Sequence, residues 1–312
     1  MDSSGRRTVP VIVNRRAGSA PRGVAAEIEL AALFAAHGLE ADITLAPSIR
    51  AVRAAAAAAA RRGARIVVAV GGDGTIAAVA SALVGSESVL GVVPGGTMNN
   101  LAHGLGVPAD LNRAVALIAS GEPHSIDVGT IRSSADARDH YFFETAGVGI
   151  TALAAPFGEA INRGRWRRAL TRLAELARVP GTRMRVELDD GDVLQAETQL
   201  VTASNAPMVG PRAAFAPGAR LDDGLLDVAL FAGMAKPALA AYFLSAMLGH
   251  PLRLPQVRLR TARRLIVLPA RPRPATADLR VFPAADRWEI GVLPGGVRVI
   301  AGAGPALGRP AA

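Results

Sequence analysis

The hydrophobic pattern of this chain changes character near Ile126. Upstream, short apolar runs alternate with longer stretches of helical spacing. Val9–Val13 is a strand-length run that ends in a turn-rich segment at Asn14–Ser19. Val24–His37 places apolar residues at helical intervals, and Gly38 closes it as a C-cap. Glu40–Leu45 reads as a second strand, and Ile49–Arg62 as an alanine-rich helix, alanine being the best helix former. Arg65–Val70 shows no alternation, as expected of a strand buried on both faces. Glycines follow it, then the helical stretch Ile76–Val84. Val89–Val93 repeats the arrangement, with a second glycine-rich turn and the helical stretch Met98–Leu105. Alternating strand and helix predict a parallel sheet with crossover helices.

Downstream, strand-like runs dominate: Val128–Arg132, Tyr141–Ala146, Met184–Leu188, Thr198–Ala203, Leu226–Phe231, Val257–Arg260, Leu265–Val267 and Trp288–Leu293. Turns such as Asp189–Asp192 separate them, and helices are expected at Arg165–Arg178 and Pro237–Leu248. The pattern predicts an α/β domain at 1–126 and a mainly antiparallel β domain at 127–300, whose last strand could return to the first. A Gly/Pro/Ala tail at 301–312 is expected to fray.

Composition narrows the function classes. A chain of 312 residues suits two domains. The absence of cysteine excludes disulfides, thiolate metal sites and a cysteine nucleophile, and fits a reducing cytoplasm. The opening residues lack the apolar core of a signal peptide. The longest nearly apolar stretches, Ala51–Ala60 and Pro237–Leu248, fall short of the ~18–20 residues of a membrane span. The expectation is a soluble, cytoplasmic protein with no transmembrane segment, at most peripheral to the inner face of the membrane. Net charge is +9, almost all from arginine, with Lys236 the sole lysine. Aromatic residues at 4% argue against base-stacking surfaces, so no nucleic-acid partner is expected. Basic charge favours anionic head groups or ATP.

Three motifs carry chemistry. Gly71-Gly72-Asp73-Gly74-Thr75 follows a buried strand and opens a helix, at the sheet edge where ligands bind. Glycines let the backbone approach a phosphate and aim N–H groups at it. Asp73 could hold Mg²⁺ or poise a hydroxyl, and Thr75 could donate from its own. Pro94-Gly95-Gly96-Thr97-Met98-Asn99-Asn100 occupies the same place after the next strand. Asn14 and Gly18 follow the first strand and Thr44 ends the second, so four strand ends offer small or polar groups to one crevice. Leu221-Asp222-Asp223-Gly224-Leu225-Leu226-Asp227 reads alone as a β-turn feeding a strand.

Together and in this order, these motifs resemble the diacylglycerol kinase catalytic domain family, which includes bacterial lipid kinases and the sphingosine and ceramide kinases. Asn14…Gly18 resembles the family's N-P-x-[AS]-G, with Arg15 replacing the proline. The resemblance runs from about Val9 to Ile300. It implies a Rossmann-like N-terminal domain, a β-sandwich C-terminal domain and an ATP cleft between them. It implies nucleotide contacts from Asn14, Gly18, Thr44, Gly71–Thr75, Gly96, Thr97 and Asn99. It further implies a Mg²⁺ site with Asp223 as a side-chain ligand and Arg220 and Leu225 as carbonyl ligands, an oxygen set suited to a hard cation.

Two departures stand out. Ala77-Ala78 replace an Asn-Glu pair that the family carries after GGDGT. The family's Asp-Gly-Glu, whose glutamate helps deprotonate the lipid hydroxyl, corresponds to the glutamate-free stretch Ala275–Arg280, where Asp278 is the nearest carboxylate. Asp73 and Asp278 are therefore the candidate catalytic residues.

The expected activity is an ATP- and Mg²⁺-dependent lipid kinase acting on a diacylglycerol-like or sphingoid lipid at a membrane surface. The alternatives are a degenerate lipid- or nucleotide-binding protein of the same fold, or an NAD kinase, which shares GGDGT but does not explain the other motifs. Arg163, Arg165, Arg167, Arg168 and Arg172 flank Trp166 and Leu170, a pattern shared by a lipid-interface helix and by a solvated face. A homodimer is left open.

Overall fold

The structure is a computed structural model that describes residues 7–15, 24–96, 98–150, 180–207, 216–247, 252–278 and 280–307. The chain divides into two compact units, Met1–Val128 with Pro294–Ala312, and Gly129–Leu293.

The first unit contains the strands β1 (Arg7–Asn14), β2 (Leu39–Ala46), β3 (Ile66–Gly71) and β4 (Val89–Pro94). Its helices are α1 (Val24–Ala36), α2 (Ile49–Arg61), α3 (Asp73–Leu83), α4 (Asn100–Gly104) and α5 (Leu111–Ser120). The strands run parallel in the order β2-β1-β3-β4. Every residue of β3 and β4 is buried, which explains their unbroken apolar sequences. α2 starts where Ser48 Oγ accepts the Ala51 N–H at 3.2 Å, and it buries Val52, Ala56 and Ala59 along one helical stripe. α5 starts where the Asp110 carboxylate accepts the Arg113 N–H at 2.9 Å. Leu30 and Phe34 of α1 and Val115 and Ile118 of α5 pack with Val9, Val11, Val68 and Val93 of the sheet. Each such side chain contributes about 1.5–3 kcal/mol when fully buried.

Residues 301–307, the start of the expected tail, are hydrogen-bonded to the end of α4. Gly302 N–H donates to Leu105 O at 2.9 Å and Ala306 N–H to Gly104 O at 3.1 Å, and Ala306 is fully buried. The close approach requires a residue without a side chain at Gly106, where φ is +66° and a Cβ would lie 2.6 Å from the Ala303 carbonyl carbon.

The second unit is a β-sandwich. One layer is antiparallel, in the order β12 (Val257–Ala262), β11 (Leu226–Phe231), β10 (Leu200–Ser204), β7 (Thr145–Gly149), β14 (Arg273–Ala277) and β15 (Arg280–Ala285). The other layer contains β8 (Thr182–Leu188), β9 (Val193–Thr198), β13 (Arg264–Pro269) and the first half of β16 (Trp288–Ile300). β6 (His140–Phe142) pairs with β5 (Pro123–Ser133), which enters from the first unit. Alternate residues of both layers meet in one core: Val186, Leu265 and Ile290 from one, Val148, Val201 and Val228 from the other. Trp288 is buried in this core, and its indole N–H donates to Arg273 O at 3.0 Å. α6 (Lys236–Met247) places Leu239 and Tyr242 in a smaller cluster with Phe231 and Leu200.

The run Thr198–Ala203, expected as one strand, is the end of β9 and the start of β10. The buried Thr198 hydroxyl lies 2.7 Å from Phe231 O and accepts the Leu200 N–H at 3.1 Å, which turns the chain. The hairpin β14–β15 was not expected, because its prolines and arginines mask the alternation. The helix expected at Arg165–Arg178, with its arginines, lies outside the described residues. No helix among the described residues is long and apolar enough to cross a membrane.

Candidate active site

The carboxyl ends of β1, β3 and β4 bring together most of the sequence-identified residues of the first unit. Asn14 closes β1, 7% exposed, and its side-chain amide donates to Thr75 Oγ1 at 3.0 Å. Thr75 sits in the first turn of α3 and is 2% exposed; its N–H donates to Gly72 O at 2.8 Å. The turn needs glycine for steric reasons. A Cβ on Gly71 would lie 2.7 Å from Thr75 Oγ1.

The two glycine loops touch. Gly95 N–H donates to Gly71 O at 2.8 Å, and a Cβ on Gly72 would come within 3.0 Å of Gly96 Cα. Side chains at these positions would force the loops apart. The second loop is closed by Asn99, which adopts the left-handed conformation (φ 51°). Its Oδ1 accepts Gly96 N–H at 2.8 Å and its Nδ2 donates to Gly96 O at 2.9 Å. Thr97 and Gly18 lie outside the described residues.

Asp73 links the loops from the other side. Its carboxylate accepts the Leu101 N–H at 3.4 Å at the start of α4. Burial raises its pKa above the ordinary carboxylate value, and hydrogen bonds from the Leu101, Asn100 and Asn99 backbones partly offset the rise. Thr44 stands apart from this group. It is exposed, pairs with Ile12, and lies two residues before the end of β2 rather than at it.

In the second unit, Asp278 occupies the turn between β14 and β15 with φ 49°. Its carboxylate accepts three backbone N–H groups, from Phe143 at 3.0 Å, Glu144 at 2.9 Å and Thr145 at 3.2 Å. Its own N–H donates to Thr145 O at 2.9 Å. These bonds assign Asp278 a structural task, clamping the loop that opens β7. Asn205 holds the same loop, its side-chain amide donating to Phe143 O at 3.2 Å.

Asp222 and Asp223 are exposed in a turn before β11, which the buried Gly224 completes at φ +71°. Asp223 Oδ1 accepts the Leu225 N–H at 3.0 Å, while Arg220 pairs with Asp222 at 3.1 Å. Burial, and then the nearby Asp223 charge, push Asp227 up to about 6. The turn thus gathers negative charge that a hard cation would relieve. The implied Mg²⁺ ligands, one carboxylate and two carbonyls, fit that cation chemically. No cluster of three His, Cys, Asp or Glu side chains suited to a metal occurs among the described residues.

Two buried carboxylates escaped the sequence reading. Asp127, 3% exposed, accepts Gly295 N–H at 2.8 Å and ties β5 to β16. Glu144, 8% exposed, offers its carbonyl to the N–H groups of Asn205 and Ala206. The signal available for each was an acidic residue set within an apolar run.

Comparison with known proteins agrees with this architecture. Residues 8–131 match the diacylglycerol kinase catalytic domain, and residues 145–303 match the YegS C-terminal NAD kinase beta sandwich-like domain. A probable YegS-like lipid kinase of Stenotrophomonas maltophilia is 31% identical over 268 residues, covering 81% of this chain and 84% of the relative. A diacylglycerol kinase of Mycobacterium tuberculosis is 28% identical over 207 residues, covering 64% of this chain and 66% of its own length. The fold matches that of a putative diacylglycerol kinase from Bacillus anthracis (TM-score 0.75, 19% identity, 95% of this chain and 97% of that one). It also matches an NAD kinase from Archaeoglobus fulgidus in complex with ATP (TM-score 0.54, 13% identity, 96% and 95%). With both domains matched in order, the chain belongs to the diacylglycerol kinase family, among the YegS-like lipid kinases.

Proposed function

We propose that the protein transfers the γ-phosphate of ATP to a hydroxyl of a diacylglycerol-like or sphingoid lipid, with Mg²⁺ as cofactor. The observation that carries this reading is the meeting of two side-chain-free loops, Gly71–Gly72 and Gly95–Gly96, at adjacent ends of β3 and β4. Backbone N–H groups of such loops suit phosphates. Asn14 and Thr75 hold the first loop in shape, and Asn99 and Asp73 hold the second. Phosphoryl transfer asks the protein mainly for positioning and charge stabilisation, which pre-set loops supply. Asp223 and the carbonyls of Arg220 and Leu225 would hold Mg²⁺, a hard cation that supplies charge neutralisation to phosphate chemistry. The lipid would be taken from the inner face of the membrane by a cytoplasmic protein.

A second reading, a nucleotide- or lipid-binding protein of weak activity, is favoured by Asp278. Its carboxylate serves three amides, and the family glutamate is absent from Ala275–Arg280. Loss of a general base typically costs about 10²–10⁴ in rate.

The test is transfer of labelled γ-phosphate from ATP into a lipid panel and a total bacterial lipid extract, beside Asp73→Ala and Asp223→Ala variants. A labelled lipid that is lost in both variants supports the kinase. ATP binding by calorimetry without any labelled lipid supports the second reading.

A further inference from the structure

One long stretch of this chain carries basic residues and no carboxylate. Between Asp227 and Asp278 the sequence contains no aspartate or glutamate, while Lys236 and seven arginines fall there, against a net charge of +9 for the whole chain. The strand β12 lies within that stretch at one end of its sheet. It pairs with β11 on one side and with no other strand among the described residues. Along it, Arg258 and Arg260 alternate with Leu259, which is 61% exposed, and Leu252 just upstream is 45% exposed.

Part of this charge is paired, Arg264 with Glu289 at 2.7 Å. Arg260 reaches Asp192 at 3.3 Å, with both side chains about half exposed, an arrangement of little strength. Arg253 and Arg258 are exposed and form no ion pair among the described residues. Arginines along an open edge discourage a second protein strand from pairing there. Guanidinium groups bind phosphate oxygens in a fork geometry, and Leu259, on the opposite face of the strand from Arg258 and Arg260, adds an apolar side chain that can enter the boundary below a lipid head group.

We infer that the β12 edge, through Leu252, Arg253, Arg258 and Leu259, docks the protein on an anionic bilayer. The inference rests on the lipid-kinase reading for its purpose, though not for its test, which uses no nucleotide. Its occupant is chosen by charge complementarity: Arg253 and Arg258, exposed and outside any ion pair among the described residues, fit a surface of phosphodiesters.

The test is flotation of the full chain with vesicles of phosphatidylglycerol and phosphatidylcholine, compared with phosphatidylcholine alone. Binding to the anionic vesicles should exceed binding to the neutral ones and should fall as salt rises. Each basic residue at such a surface contributes about fivefold, so Arg253→Gln with Arg258→Gln should weaken partitioning about 25-fold. Arg258→Lys should retain it, and Leu259→Ser should weaken it on its own. Equal binding to both vesicle types in the wild type, a comparison that needs no variant, would overturn the inference. So would unchanged partitioning of the double variant. A wild-type dimer in sedimentation that Leu259→Ser dissolves, with vesicle binding intact, would assign the edge to a second copy instead. Phosphate transfer into detergent-dispersed lipid reports separately on the kinase reading, and the double variant should retain it. Vesicle binding without transfer would sink the kinase and leave the docking edge standing.

Discussion

Asn14 and Thr75, 61 positions apart in the chain, meet through a buried hydrogen bond of 3.0 Å that fixes the end of β1 to the first turn of α3. Asn14→Ala removes the donor and leaves a buried hydroxyl short of a partner, a cost of about 1–3 kcal/mol. Urea denaturation should show it. Thr75→Val made in the Asn14→Ala background should cost less than in the wild type, because the shared bond is already lost. Additive costs would mean that the bond contributes nothing.

Gly72 and Gly74 should respond in opposite directions to alanine. A Cβ on Gly72 meets the Gly96 backbone, and overpacking of this kind costs about 1–3 kcal/mol. The expected result is a folded protein with weakened ATP binding in calorimetry. At Gly74, inside α3, the nearest atom to an added Cβ is Ile49 Cδ1 at 4.0 Å. Gly74→Ala should raise thermal stability by about 0.5–1 kcal/mol through the helix preference alone.

Asp227 makes stability depend on pH. Its folded pKa of about 6 lies above its ordinary 3.8, so between these values the native state holds a proton that the unfolded chain releases. Its contribution is therefore full below about pH 4 and is lost as pH rises through 6. In chelator, Asp227→Asn should gain stability relative to wild type between pH 4 and 7. A difference that stays flat across that window would contradict the assignment.

Asp278→Ala should unfold more easily whether or not the protein turns over. Three backbone N–H groups lose a charged acceptor, and a hydrogen bond to a charged group is worth about 1.5–3 kcal/mol. Asp278→Asn keeps an acceptor oxygen and should fall between wild type and alanine in denaturation midpoint. Equal midpoints for all three proteins would remove the clamp.

The sequence exposed those parts of the protein whose signals are local. The unbroken apolar run at Val67–Val70 and the glycines after it located β3 and the first loop, because a doubly buried strand and a tight turn each leave a short mark. The second loop was found the same way. The clamp that Asp278 forms was not legible, because its partners Phe143–Thr145 lie more than 130 positions away. Thr44 was read as the end of the second strand, but β2 runs on through Leu45 to Ala46. β16 was cut short at Leu293, since Pro294-Gly295-Gly296 carries every mark of a turn. The strand nevertheless continues there, with Gly295 N–H on the Asp127 carboxylate.

That long final strand also bears on how the protein is made. Arg298 and Val299 pair alongside Val89 and Leu90, so β4 receives its neighbour only after some two hundred further residues have been synthesised. Throughout that interval the nascent chain holds a hydrophobic strand with an unpaired flank, and the closing contact is among the least local in the molecule. Biogenesis of this protein should accordingly lean on chaperones that shield an unfinished sheet, and its folding should be slowest at the step that sets β16 beside β4.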